Sequence, residues 1–472
     1  MTESRPEHAG SRRPGLIALL RQSLAGSTHD YTQGSVRRAA VLLAIPMMLE
    51  MAMESLFTIV DIYFVSSLGA EAVAVVGLTE AVMTLVYALG IGFGMGATAY
   101  VSRRIGEHDA AGARTVAAQA VWLCVLIALL LGATAPFARD ILSLMGATPA
   151  VIDIGVPFTT IMLGGAGTVA SLFILNGVFR GAGDAAIAMR SMWLANGINL
   201  VLDPCLIFGW GPFPALGLTG AAIATTCGRA CGVVYLLLRF AVPGSRVRLG
   251  WRDLVPVPTI IHALLKVSLG GVAQSVIATS SWILMMRLVA PYGSAAVAGY
   301  TIAIRILVFS LLPAWGLANA AATLVGQNLG AGRALRAEQS VWEVARISAA
   351  MMGVIGLVSV VCAPAIVSIF SRDPAVMAHA VSCLRIVASG YLFYAVGMIV
   401  TQAFNGAGDT VTPTAINLVG FWILQIPLAW ALTHYTGLGP TGVFIAVLGA
   451  ESVMALLAVA VFRRGTWKTK RL

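Results

Sequence analysis

Apolar positions along this chain come in long runs delimited by charged residues, Pro or Gly. A membrane-crossing helix takes about 20 mostly apolar residues, and the runs predict twelve such spans. Six occupy 38–66, 72–104, 115–136, 151–179, 186–209 and 216–240; six more occupy 257–290, 295–327, 340–364, 375–405, 411–433 and 438–462. The polar segment 1–37 contains one apolar stretch, Leu16 to Leu20, too short for a signal-peptide core. It reads as a cytoplasmic tail, flexible or lying on the membrane surface. The charged stretch Pro243 to Pro258 separates the two sets of spans.

The two sets are copies. Phe179-Arg180-Gly181-Ala182-Gly183-Asp184 closes the fourth span, and Phe404-Asn405-Gly406-Ala407-Gly408-Asp409 closes the tenth. Leu216-Gly217-Leu218-Thr219-Gly220 opens the sixth, and Leu438-Gly439-Pro440-Thr441-Gly442 the twelfth. Gly106 after the second span recurs as Gly330 after the eighth, and all three matches fall at an offset of about 224 residues. Six spans per copy is an even number, so both copies insert the same way up. The expected fold is an all-α integral membrane protein, its twelve transmembrane helices in two six-helix lobes related by a parallel repeat. The organisation is a tail at 1–37, a first lobe at 38–242, an inter-lobe loop at 243–256, a second lobe at 257–463 and a basic tail at 464–472. Two such lobes can rock about a shared cleft, opening it to either side in turn.

Composition narrows the function. Of 472 residues 58% are hydrophobic and 11% charged, against roughly a quarter charged in soluble domains. That leaves no room for a soluble enzyme domain. The net charge of +10 would suggest nucleic acid in a soluble chain, but most of the 30 Lys and Arg lie in the tails and alternate loops. Only Arg139 and Arg372 fall in the opposite loops, which by the positive-inside rule makes both termini cytoplasmic. The six cysteines sit in or beside apolar runs, where disulfides are not expected. Gly90-x-Gly92-x-Gly94-x-Gly96 lacks a following Lys-Ser/Thr and reads as close helix packing rather than a nucleotide loop.

Ionisable groups inside spans are costly and mark function by default. Glu50, Glu54 and Asp61 share the first span. At about 100° per residue they lie on one stripe, Glu54 turned ~40° and Asp61 ~20° from Glu50. Pro46 removes a backbone bond four residues before Glu50 and predisposes the helix to kink. In the fifth span Asp203 lies one turn after Asn199, with Pro204 beside it. Two carboxylates brought together in low dielectric hold a proton more tightly; with an amide between them they suit a desolvated Na⁺ equally. The plainer alternative is that these acids neutralise embedded arginines such as Arg229, Arg287 and Arg305. The second half is poor in such groups, its in-span acid being Glu451. Met53 among the first-span methionines, with Phe57, Phe158, Tyr300 and Trp315, are candidates for an apolar substrate cavity. Gly-x-Gly-Asp, known from intramembrane aspartyl proteases, ends at Asp184 and Asp409, but duplication at span ends makes it a structural turn.

With these motifs together, the chain resembles the multidrug and toxic compound extrusion (MATE) family over residues 38 to 462. Val60-Asp61-Ile62-Tyr63-Phe64-Val65 followed by Leu68-Gly69 is similar to that family's first span and loop, and Asn176-Gly177-Val178-Phe179-Arg180-Gly181 to the end of its fourth. The poverty of second-lobe acids looks closer to DinF-like than NorM-like members. The resemblance implies a V of two lobes exporting drugs in exchange for H⁺ or Na⁺. It implies cation or proton coupling at Asp61, Asn199, Asp203 and Asn176, and a hinge at Pro46. Glu50 and Glu54 lie outside the family pattern and are secondary coupling candidates. The expected function is therefore a secondary antiporter of amphipathic, mostly cationic compounds. It would be a cell inner-membrane protein, a monomer needing no cofactor beyond the coupling ion, with membrane lipid but no nucleic acid as partner. The alternative is a flippase for a lipid-linked precursor.

Overall fold

The computed structural model describes residues 16–26, 29–470 and 472. Six membrane-length helices form the first half: Val36–Ser66, Ala70–Gly106, Ala110–Leu144, Pro149–Gly181, Ala185–Phe208 and Leu218–Ala241. The second half holds Pro258–Tyr292, Ser294–Gly330, Ala334–Val361, Val411–Tyr435 and Pro440–Arg463. Its tenth span is the pair Pro374–Ala388 and Tyr391–Gly406, bent by 54°. No strand occurs among the described residues.

The duplicated turns explain the repeated glycines. After the fourth span the Asp184 amide donates to the Phe179 carbonyl (2.9 Å), and after the tenth Asp409 donates to Phe404 (2.9 Å). Gly183 and Gly408 supply the left-handed residue, at φ 83° and 82°, which closes a helix end with little strain. The same closure follows the second and eighth spans, from Asp109 to Arg104 and from Arg333 to Asn328. The Gly-x-Gly-Asp pairs are thus helix ends.

Glycines also make the seam between the halves. Gly90 and Gly94 pack on Phe173 of the fourth span, whereas Gly92 and Gly96 meet Val272 and Ser268 of the seventh. Alternate glycines, about 200° apart around the helix, therefore serve two neighbours, one from each half of the chain. Gly106 lies against the Gln327 backbone and Gly330 against that of Arg103, a reciprocal pair at the repeat offset. These contacts gather on the side that carries both chain ends. Gly77 and Gly293, near the opposite ends of the second and eighth spans, have nothing within 4 Å of a Cβ position. The tight backbone contacts between the halves at Gly106 and Gly330 thus lie on the terminal side.

The first span does not belong to one lobe. Ala39, Leu42, Leu43 and Met47 are buried in a core shared with Leu317, Ala321, Val341 and Phe404 of the second half. Further along, Glu54 meets Arg229 and Val65 joins the first-half core. Its repeat, the seventh span, crosses the other way: Leu264 and Val267 lie in the first-half core, Met285 and Val289 in that of the second. Pro46 sits at the crossing, inside an unbroken helix. A proline strips the carbonyl four residues back of its partner, here Leu42, and the hydroxyl of Ser23 donates to that oxygen (2.7 Å). Ser23 belongs to a short helix, Leu16–Ala25, continued by a segment whose carbonyls accept from Arg246 on one lobe and from Arg333 and Arg336 on the other.

Candidate functional site

The first-span acids divide into paired and unpaired. Glu50 Oε1 accepts from Arg180 Nη1 at 3.0 Å, both side chains buried. Glu54 receives a fork from Arg229, at 2.8 Å and 3.2 Å, and the Asn196 amide at 3.0 Å. The Arg229 guanidinium lies over the Phe57 ring, 4.9 Å from its centre, a favourable place for a desolvated cation. Arg229 was a foreseeable partner, but Arg180 was not. The fourth helix continues to Gly181, which draws into the bundle an arginine expected in the following loop.

The second half repeats the first of these contacts without charge. At the repeat offset Glu50 and Arg180 correspond to Gln274 and Asn405. Those two amides bond reciprocally, Gln274 Nε2 to Asn405 Oδ1 at 3.0 Å and Asn405 Nδ2 to Gln274 Oε1 at 3.2 Å. One tether between equivalent helices is thus ionic in one half and neutral in the other.

Asp61 has a different setting. It lines a cavity of about 220 Å³ within the first lobe, together with Glu80, Phe57, Phe158, Tyr87 and Thr225. Asp203 is buried beside it, within electrostatic reach of Asp61. Asn199 Nδ2 donates to Asp203 Oδ1 (3.3 Å) and to Thr225 Oγ1 (3.1 Å). Asp203 Oδ2 and Asn199 Oδ1 are buried with no partner. Buried oxygens are normally satisfied, so two orphans beside a second acid are places for a proton or a cation. Asn176 lies apart from these bonds, its Oδ1 accepting from Ser191 (2.7 Å) while its Nδ2 is orphaned. Among the described residues no three Asp, Glu, His or Cys side chains converge as a metal cage.

Glu80 is the residue the sequence reading missed. It stands inside the apolar run 72–104, and the test applied to the first span, an acid amid apolar neighbours, would have found it. Its role as a neighbour of Asp61 depends on the pairing of the first two spans, which periodicity does not reveal.

Between the lobes lies a chamber in two adjoining parts, about 150 and 240 Å³, sharing Met95, Trp315, Gln402 and Asn405. Met51, Glu54 and Arg180 border the smaller part, and Glu451, Trp282 and Tyr394 the larger. Of the expected cavity residues, Trp315 lines this chamber and Phe57 and Phe158 the first-lobe cavity. Met53 and Tyr300 line none of the three. Met51 takes the place expected of Met53, which points elsewhere on the turn. Tyr300 is stacked on Phe444 (6.1 Å) in the second-half core.

Known proteins are similar to this chain over most of its length. The probable multidrug resistance protein NorM of Thermotoga maritima is 25% identical over 442 residues, 92% of this chain and 94% of its own. The multidrug export protein MepA of Staphylococcus aureus is 25% identical over 440 residues, 91% of this chain and 94% of its own. A solved structure described as an outward-facing conformation of a multidrug resistance MATE family transporter of the MOP superfamily matches with a TM-score of 0.88 at 26% identity, covering 94% of this chain and 100% of that one. The MatE family model matches residues 46–205 and, once more, 272–431, one stretch in each half. With its two matched repeats, its twelve spans and its acid-lined cavity, this chain belongs to the MatE family of membrane transporters.

Proposed function

We propose that the protein is a secondary antiporter that exports amphipathic, mostly cationic compounds in exchange for inward H⁺. Both termini lie in the cytoplasm and the V opens outward. The observation that carries this reading is the separation of two compartments: an acid-lined cavity inside the first lobe, and a larger aromatic chamber between the lobes. The unpartnered Asp203 and Asn199 oxygens beside Asp61 offer an exchangeable ion a place that substrate in the chamber does not occupy. H⁺ is favoured over Na⁺ because a proton on Asp203 Oδ2 needs a single acceptor, whereas a desolvated Na⁺ takes several oxygens and only Asp203 Oδ2 and Asn199 Oδ1 are left unpartnered between these two residues. Asn176, whose oxygen is taken by Ser191, stands outside this cluster. The names of the NorM and MepA relatives support drug export. The lipid-precursor alternative calls for a basic cleft, whereas Arg180 in this chamber is neutralised by Glu50.

One charge moving through 100 mV releases about 2.3 kcal/mol, enough for roughly a fiftyfold concentration ratio, so a single ion per cycle suffices. The test is ethidium transport in proteoliposomes under an imposed pH or Na⁺ gradient. Wild type should move ethidium against its gradient when the pH gradient is applied, and Asp61→Asn and Asp203→Asn should not. Absence of gradient-driven transport for every cation tried would overturn the reading, and a response to Na⁺ alone would change the ion.

A further inference from the structure

We propose that Glu451 binds the positive charge of the transported compound, in a subsite of the second-half chamber created when the repeat lost an ion pair. The assignment rests on the export reading above and names the residue that would recognise the cargo.

Glu451 stands midway along the last span, Pro440–Arg463, and faces the 240 Å³ part of the chamber. Among the described residues no ion pair or hydrogen bond reaches its carboxylate. That sets it apart from Glu50 and Glu54, which arginines neutralise, and from Asp203, which Asn199 contacts. A solitary carboxylate at mid-membrane depth is expensive to keep unless something neutralises it.

The duplication shows what is missing. The sixth and twelfth spans align through Leu216-Gly217 and Leu438-Gly439, an alignment that sets Glu451 at the position of Arg229. The first and seventh spans align at the offset that relates Glu50 to Gln274, which sets Ala278 at the position of Glu54. The first half therefore closes a salt bridge between these helices. The second half inverts one charge and deletes the other, leaving a carboxylate opposite a methyl group, and both residues line the chamber.

The walls around the gap suit an organic cation rather than a small hydrated ion. Trp282, Trp315, Phe393 and Tyr394 line the same space, and aromatic faces attract desolvated cations. The Tyr394 hydroxyl is buried without a partner and within electrostatic reach of Glu451. The ligand class is thus a monovalent amphipathic cation of quaternary ammonium or phosphonium type, which asks for charge and aromatic contact but no hydrogen bonds. In exporting it, the transporter carries the counter-charge that the first half keeps built in as Arg229.

The test compares equilibrium binding of tetraphenylphosphonium and of uncharged triphenylphosphine oxide to the full-length protein in lipid nanodiscs. Glu451→Gln should weaken tetraphenylphosphonium about tenfold or more, the scale of one charged contact, and leave the neutral compound unchanged. Glu451→Asp should recover part of the loss. Equal tetraphenylphosphonium affinity in wild type and Glu451→Gln overturns the assignment while leaving the export reading intact. Equal weakening of both ligands makes Glu451 a structural part of the chamber. That result also overturns the assignment. Failure of wild type to bind either ligand would bring down the export reading and this subsite with it.

Discussion

The neutral Gln274–Asn405 pair predicts what the ionic Glu50–Arg180 pair is for. If the contact is a tether between equivalent helices, transplanting the second half's version into the first, Glu50→Gln with Arg180→Asn, should leave fold and transport nearly unchanged. Each single change should be harmful, and unequally so. Glu50 is 1% exposed and one of its oxygens already lacks a partner, so Arg180→Asn strands a carboxylate in a dry site. Breaking a buried pair from one side costs about 3–5 kcal/mol, and this change should lie at the top of that range. Arg180 borders the chamber and is 9% exposed, so Glu50→Gln leaves a cation that water can reach, and should lie at the bottom. In the double variant two amide hydrogen bonds of about 1 kcal/mol each replace the ion pair, as the 3.0 Å and 3.2 Å contacts of the other half already do. The net cost should then fall within about 1 kcal/mol of zero, so single costs of about 5 and about 3 kcal/mol imply a coupling of about 8 kcal/mol across the cycle. The measurements are SDS-induced unfolding in mixed micelles and ethidium transport in liposomes, on all four proteins. A double variant as unstable as the worse single would refute the tether. A stable double variant without gradient-driven transport would show instead that Glu50 takes part in coupling, as its place among the first-span acids had suggested.

Two other substitutions probe the seam and the short helix that carries Ser23. Gly106→Ala places a methyl where the Gln327 backbone lies, so it should hold the terminal side apart. Spin labels on Arg114 and Arg336 should report a longer distance than in wild type, and an unchanged distance would show that the seam can give way elsewhere. Ser23→Ala removes the donor to the carbonyl that Pro46 leaves free and should cost about 1–3 kcal/mol for the orphaned oxygen. Hydrogen exchange in the first span should rise around Pro46, and no rise there would mean that water replaces the hydroxyl at little cost.

The spans, the repeat and the acids at positions 61 and 203 were legible because each rests on a local signal. Apolar runs locate helices, paired turns such as Gly183-Asp184 and Gly408-Asp409 register the copies, and an acid amid apolar neighbours is a candidate that stands out before its partner is known. Pairing was not legible, because it belongs to tertiary packing. The Glu50–Arg180 bridge joins residues 130 positions apart, and its arginine looked like a loop residue until the helix proved to reach Gly181. Tyr300 and Asn176 failed to join the expected clusters for the same reason: a face of a helix is readable, but which neighbour covers it is not. The crossing of the first span between lobes was hidden too, since Met47 meets Gly316, and a glycine leaves no side chain in the sequence to pair with.

That crossing gives the proposed ion site a way to reach the seam. The first span is one rigid element with Asp61 at its far end in the first-lobe cavity and Met47 wedged against Gly316 of the second lobe. A change of charge at Asp61 alters how firmly the far half of that helix holds to Asp203 and Glu80. Any tilt it makes there must be taken up along its length. Pro46 is where the helix can yield, because its ladder already lacks a bond at Leu42. Gly316 leaves the seam no slack at Met47, the residue that follows that point. The two lobes then move together without a chain of intermediary side chains. On this account a bend at Pro46 opens the contact at Met47 first, so a disulfide between cysteines placed at positions 47 and 316 should abolish turnover while leaving ligand binding from outside intact. Turnover surviving that cross-link would show that the lobes move about some axis other than the first span.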